Sequence, residues 1–168
     1  NQVKPMIPSE EIQKSEAPAK VGGCGGLAYI AEPLRPLAVA IDTLKPHPRN
    51  YREHPADQLA HIAASIKEHG VYRPVVCAND GTILAGHGLV LAAMGLGMTE
   101  IQAVTLPIEP DSPSALKVLA GDNQIAGLAD VDDRALTELL KEIGSVDDLL
   151  GTGFDEEKLA ALLMVTRP

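Results

Sequence analysis

The sequence predicts an α+β domain, a small mixed-sheet core followed by a C-terminal helical extension. Short β-branched apolar runs alternate with helical stretches between residues 37 and 106. Turn and stop residues separate them, notably Pro46, Gly70, Asn79-Asp80-Gly81 and Gly97. From Ser112 onward only helical patterning remains.

Residues 1–36 read as a flexible tail rich in proline and glycine, including "VGGCGG". "LAVAIDTLKP" (37–46) has the character of a first strand, stopped by proline. "KPHPRNYREHP" (45–55) is a loop. "ADQLAHIAASIKEHG" is an amphipathic helix with Leu59, Ile62, Ala63 and Ile66 on one face, Asp57 in its first turn and Gly70 as its stop. "RPVVCA" (73–78) and "TILA" (82–85) are strands joined by the hairpin-type turn "NDG". A short helix opens at Gly86–Gly88 and runs to about Leu96, and "EIQAVTL" (100–106) is a fourth strand. Helices then start at Ser112-Pro113, near Asp132 and at Asp155, each with a capping Ser or Asp. These elements divide into a tail (1–36), a core (37–110) and a helical extension (111–168).

The 168 residues suit one domain plus a tail. Hydrophobic residues make up 45% and aromatics only 2%, so Ala, Leu, Val and Ile must build the core. The net charge of −9 argues against a wide DNA-gripping face, which needs clustered Lys and Arg. Cys24 and Cys77 lack zinc-ligand spacing, and Cys77 fits a buried thiol. No apolar run approaches the roughly 18 residues of a membrane span, and no signal peptide is evident. A cytoplasmic protein with no membrane partner is expected.

Three constellations could carry chemistry. Gly86-His87-Gly88 stands where a strand hands over to a helix. It is either a tight turn with an exposed histidine or an anion pocket, in which His87 could donate a hydrogen bond or move a proton. The loop with His47, Arg49, Arg52 and His54 is either solvated or a phosphate clamp, and Arg73 flanks the next strand. Asp122 and Asn123 are adjacent hard oxygen donors beside the unusual mid-helix Gly121; they either face solvent or hold Mg²⁺ beside a phosphate. The acidic helices after residue 130 read as solvated faces.

Together these stretches resemble the ParB/sulfiredoxin superfamily, over about residues 38 to 126. "IDTLKPHPRNYREHP" is similar to the family's strand, "NP" loop and arginine. "QLAHIAASIKEHGVYRPVVC" is similar to its helix ending in "SI-x-x-x-G" and its "QP(I/V)VV" strand. "DGTILAGHGLVLAAMGLGMTEIQAVTL" resembles "Gly-x-x-(Val/Leu)-x-(Ala/Gly)-Gly-(His/Glu)-x-Arg" with a helix ending in "LG". "AGDNQIAGLADVDDRALTELL" is similar to the "A-D-N-x" helix of phage members.

The resemblance implies a ParB-like domain that binds a nucleotide, CTP or ATP, with Mg²⁺, and acts in phage or mobile-element DNA processing. Nucleoside triphosphate hydrolysis and nuclease activity are ascribed to members; a non-catalytic adaptor is the further alternative. It implies Gly86, His87 and Gly88 as the phosphate turn, His87 as its catalytic group, Arg49, Arg52 and Arg73 as flanking cations, and Asp122 with Asn123 as the metal pair. Nucleotide, DNA, another protein or a second copy are the partners it implies. Leu89 occupies the position of the family's arginine, and His87 that of the cysteine in the redox branch.

Overall fold

In the computed structural model residues 26–144 and 148–166 are described. The first part of the expected tail, with Cys24, lies outside the described residues. The core is a four-stranded mixed sheet in the order β1-β4-β2-β3: β1 (Ala38–Ala40), β2 (Val75–Cys77), β3 (Ile83–Ala85) and β4 (Glu100–Thr105). β4 pairs antiparallel with β1 and parallel with β2, while β2 and β3 form the expected hairpin. Its turn is fixed by Asp80, whose carboxylate accepts from both the N–H and the hydroxyl of Thr82, and by Gly81 at φ 84°.

Helices α1 (Ala56–His69) and α2 (His87–Gly95) pack on each other over one face of the sheet. Ile66, Val75, Ile83, Val90 and Ile101 join there in one core, with the predicted α1 positions Leu59, Ile62 and Ala63 against it. Adjacent strand residues face opposite sides. So Ile83 enters this core, while Leu84 meets Ala115 of α3 (Pro113–Ala126) on the other face. Cys77 is buried, as expected for a structural thiol, and burial followed by the nearby Asp80 pushes its pKa up to about 11.

The first strand is shorter than the apolar run suggests. The Thr43 hydroxyl donates to the Ala40 carbonyl, and Leu44 N–H donates to Ile41, so Ile41–Thr43 curls into a 3-10 turn. The end of the expected tail also differs. Gly26–Tyr29 and Glu32–Leu37 form 3-10 turns on either side of Ile30, which is 2% exposed and bridged to Val71, and burying such a side chain stabilises by about 1.5–3 kcal/mol.

Beyond α3 come α4 (Asp133–Gly144) and α5 (Glu156–Val165), packed on each other and capped by Asp132 and Asp155. The segment between them returns to α1, where the N–H groups of Gly151 and Gly153 both donate to His61 Nδ1, at 3.0 and 3.3 Å.

Candidate functional site

The strand-to-helix turn has the geometry that its glycines suggested. Gly86 sits at φ 100°, a conformation that side chains with a Cβ rarely adopt, and hands β3 directly to α2. The first N–H groups of a helix have no partner within it, and the aligned peptide dipoles leave partial positive charge there.

Gly88 answers a different demand. A Cβ at this position would stand 2.9 Å from His54 Nδ1 and 3.0 Å from His54 Cε1, with Ile62 also in contact. Its small size lets the basic loop lie directly on the first turn of α2. The other end of that loop is tied to the same turn, since the His47 N–H donates to His87 Nε2 at 3.2 Å.

His47 is the loop's internal anchor. It is 2% exposed, its Nδ1 accepts from the Arg49 N–H, and its Nε2 faces the Pro110 carbonyl at 3.1 Å. The Asn50 side chain braces the next bend against the backbone of Arg52. His87 is half-buried, and burial, followed by the His54 and His47 imidazoles, pushes its pKa down to about 4. It is therefore neutral at pH 7, with Nε2 engaged as an acceptor.

Between these anchors Arg49 is exposed and Arg52 is partly buried, its guanidinium 5.7 Å from the ring centre of Tyr51. Arg52 Nε is buried without a hydrogen-bond partner, and so is His54 Nε2. The register pairing Val76 with Ala85 puts the start of β2, and so Arg73 just before it, at the sheet end where β3 meets Gly86. Among the described residues Arg49, Arg52 and Arg73 form no ion pair.

Asp122 and Asn123 are exposed on α3. The Tyr51 hydroxyl donates to the Ala120 carbonyl at 3.1 Å, which ties the basic loop to this stretch of α3. Adjacent helical residues point about 100° apart, so the pair cannot act as a single bidentate arm. Among the described residues no group of three or more His, Cys, Asp or Glu could hold a metal ion. One carboxylate fits Mg²⁺ only when phosphate oxygens and water complete its shell. Leu89 is partly buried against the main core and presents no cation.

Several site residues were missed from the sequence. The buried Gln102 donates from Nε2 to the carbonyls of Val71 (2.6 Å) and Arg73 (3.4 Å), holding the segment that carries Arg73. An amide inside the apolar run "EIQAVTL" was the available signal. The inward turn of His47 and the reach of Tyr51 to α3 depend on contacts distant in sequence and had none. Between α2, the turn after β1 and the start of β4 a cavity of about 870 Å³ reaches His87, Pro46 and Asn50, but its charged lining is Asp42 and Glu100, with no Lys or Arg.

No family model matches the sequence. Over 77 residues the chain is 35% identical to the ParB-like nuclease domain-containing protein YnaK of Escherichia coli K12, a match covering 46% of this chain and 88% of that protein. The fold is similar to that of the C-terminally truncated chromosome-partitioning protein ParB from Caulobacter crescentus, solved in complex with CTP-γ-S. The TM-score is 0.58 at 19% identity, covering 78% of each chain. A Pnob8-like ParB-N domain gives a TM-score of 0.46 at 14% identity, over 77% of this chain and 48% of that one.

Proposed function

The chain belongs to the ParB-like family, and on that premise we propose that it is a cytoplasmic nucleotide-binding domain serving phage or mobile-element DNA processing. Its ligand is a nucleoside triphosphate, CTP first among the candidates because the similar ParB structure is a CTP-γ-S complex. The core, residues 37–110, meets the phosphates, and the extension, residues 111–168, contributes Asp122 and Asn123.

One observation carries this reading. Arg49 and Arg52 belong to the loop that packs on the first turn of α2, and Arg73 precedes the adjoining strand end. None of the three is in an ion pair among the described residues, and Arg52 Nε is buried with no hydrogen-bond partner. A buried donor left unmade costs about 1–3 kcal/mol, which a phosphate oxygen would recover. Guanidinium forks and a helix N-terminus are also the groups best matched to phosphate. Mg²⁺, when bound, would neutralise phosphate charge next to Asp122, with Asn123 beside it.

His87 supports binding more than hydrolysis. Its Nε2 holds the His47 N–H, so it positions the loop and is not free at that nitrogen to take a proton from water. Leu89 removes one charge-assisted contact, worth about 1.5–3 kcal/mol, so binding is expected to be weaker than in a site with the arginine. The packing of Leu89 in the core favours an adaptor as the second reading. The net charge of −9 weighs against the nuclease reading.

The test is thermal unfolding with millimolar CTP, ATP, ADP or GTP, each with Mg²⁺. A ligand at ten times its Kd stabilises the folded state by about 1.4 kcal/mol. CTP is expected to raise the melting temperature. No shift with any of the nucleotides would leave the adaptor reading, and cleavage of DNA by the purified chain with Mg²⁺ would favour the nuclease.

A further inference from the structure

The groove between α2, the turn after β1 and the start of β4 has a chemistry opposite to that of the neighbouring arginine loop. Its floor is Met98, Val90 and Ile83, all buried, and its open wall is Leu91 and Met94 on α2, 47% and 56% exposed. The facing wall is the turn after β1 and the start of β4. It carries Asp42 and Glu100, neither in an ion pair among the described residues. The geometry points to a docking groove for a basic amphipathic helix of a partner protein.

Charge complementarity selects this occupant. Two carboxylates flank an apolar floor with no Lys or Arg in the lining, so an anionic or purely apolar ligand would leave both unpaired. Leu91 and Met94 lie side by side on the exposed surface of α2, so the site is an open trough and not an enclosed pocket. A helix can lay apolar side chains at i, i+3 and i+4 along such a trough and direct Lys or Arg to the rim. Methionine side chains adapt to differently shaped apolar faces, and the net charge of −9 attracts a cationic segment from a distance. The groove borders the arginine loop at Pro46 and Asn50 and reaches His87, but none of the three arginines lines it, and its occupancy by a peptide needs no nucleotide.

The test uses the full chain without nucleotide and a fluorescent amphipathic peptide of leucine and lysine, followed by anisotropy. Saturable binding is expected, weakening with salt and at least tenfold in Met94→Lys and in Asp42→Lys. Asp130→Lys, on an exposed acidic stretch elsewhere, should leave it within twofold. Both Met94 and Asp42 are exposed, and an unchanged thermal melt shows that the variants fold. A scrambled peptide of equal charge binding as well, or equal weakening by Asp130→Lys, would reduce the effect to net charge and overturn the proposal. Displacement of the peptide by millimolar spermidine alone would assign the groove to a small cation instead, and no binding at all would also overturn it.

Discussion

His87 Nε2 accepts the backbone N–H of His47 at 3.2 Å, so the first residue of α2 is locked to the loop that carries the arginines. The histidine between two glycines serves as a clasp, and this sets its response to pH. Its pKa falls from 6.5 to about 4 on folding, chiefly through burial. Between these values the unfolded chain binds the proton more readily than the folded one. Stability from this group is therefore complete above about pH 6.5 and declines as pH falls towards 4, by roughly 2–3 kcal/mol. Urea midpoints at pH 7 and pH 4.5 should differ clearly in the native chain and much less in His87→Gln. Parallel losses in both would place the pH sensitivity elsewhere.

Gly88→Ala should destabilise the fold although alanine is the better helix former. The new methyl meets His54 at 2.9 Å, and overpacking of this kind costs about 1–3 kcal/mol, against about 1 kcal/mol gained in helix propensity. Adding His54→Ala should recover most of the loss. A double-mutant cycle with no coupling between the two positions would contradict the contact.

Gly121 makes no comparable demand. A Cβ there meets only Ile125 Cδ1, at an ordinary 3.6 Å, and the backbone is helical. Gly121→Ala should raise stability by about 0.4–1 kcal/mol and shift the melting temperature upwards. A lower melting temperature would reveal a packing role for the glycine.

His61 holds the C-terminal segment through two N–H donors. In His61→Ala, amide exchange at Gly151 and Gly153 should accelerate at least tenfold while the protection of β2 and β4 stays the same. Unchanged exchange at the two glycines would show that α4 and α5 are held without this contact.

The sheet and helices were legible where punctuation and periodicity agree. Gly70, Gly81 and Gly97 all adopt the positive φ that ends or turns an element, and Leu59, Ile62, Ala63 and Ile66 face the core as their spacing requires. The first strand was over-extended because one hydroxyl, on Thr43, competes with the sheet for the backbone at Ala40, which an apolar run does not reveal. Ile30 was missed because its burial depends on Val71, far along the chain. At the site, residue types suggested an anion pocket, but the sequence could not say which glycine serves the backbone turn and which makes room for His54. Nor could it reveal that His47 points inward, since both facts rest on contacts between separate elements.

Arginine at an unpaired, partly buried position is the centre of the functional reading, and calorimetric titration of CTP with Mg²⁺ tests it most directly. The native chain should give saturable heat. Affinity should fall at least tenfold in Arg52→Gln and in Arg49→Ala, with melting temperatures in the absence of nucleotide little changed. No heat from the native chain, or binding that both variants retain in full, would contradict phosphate recognition by this loop.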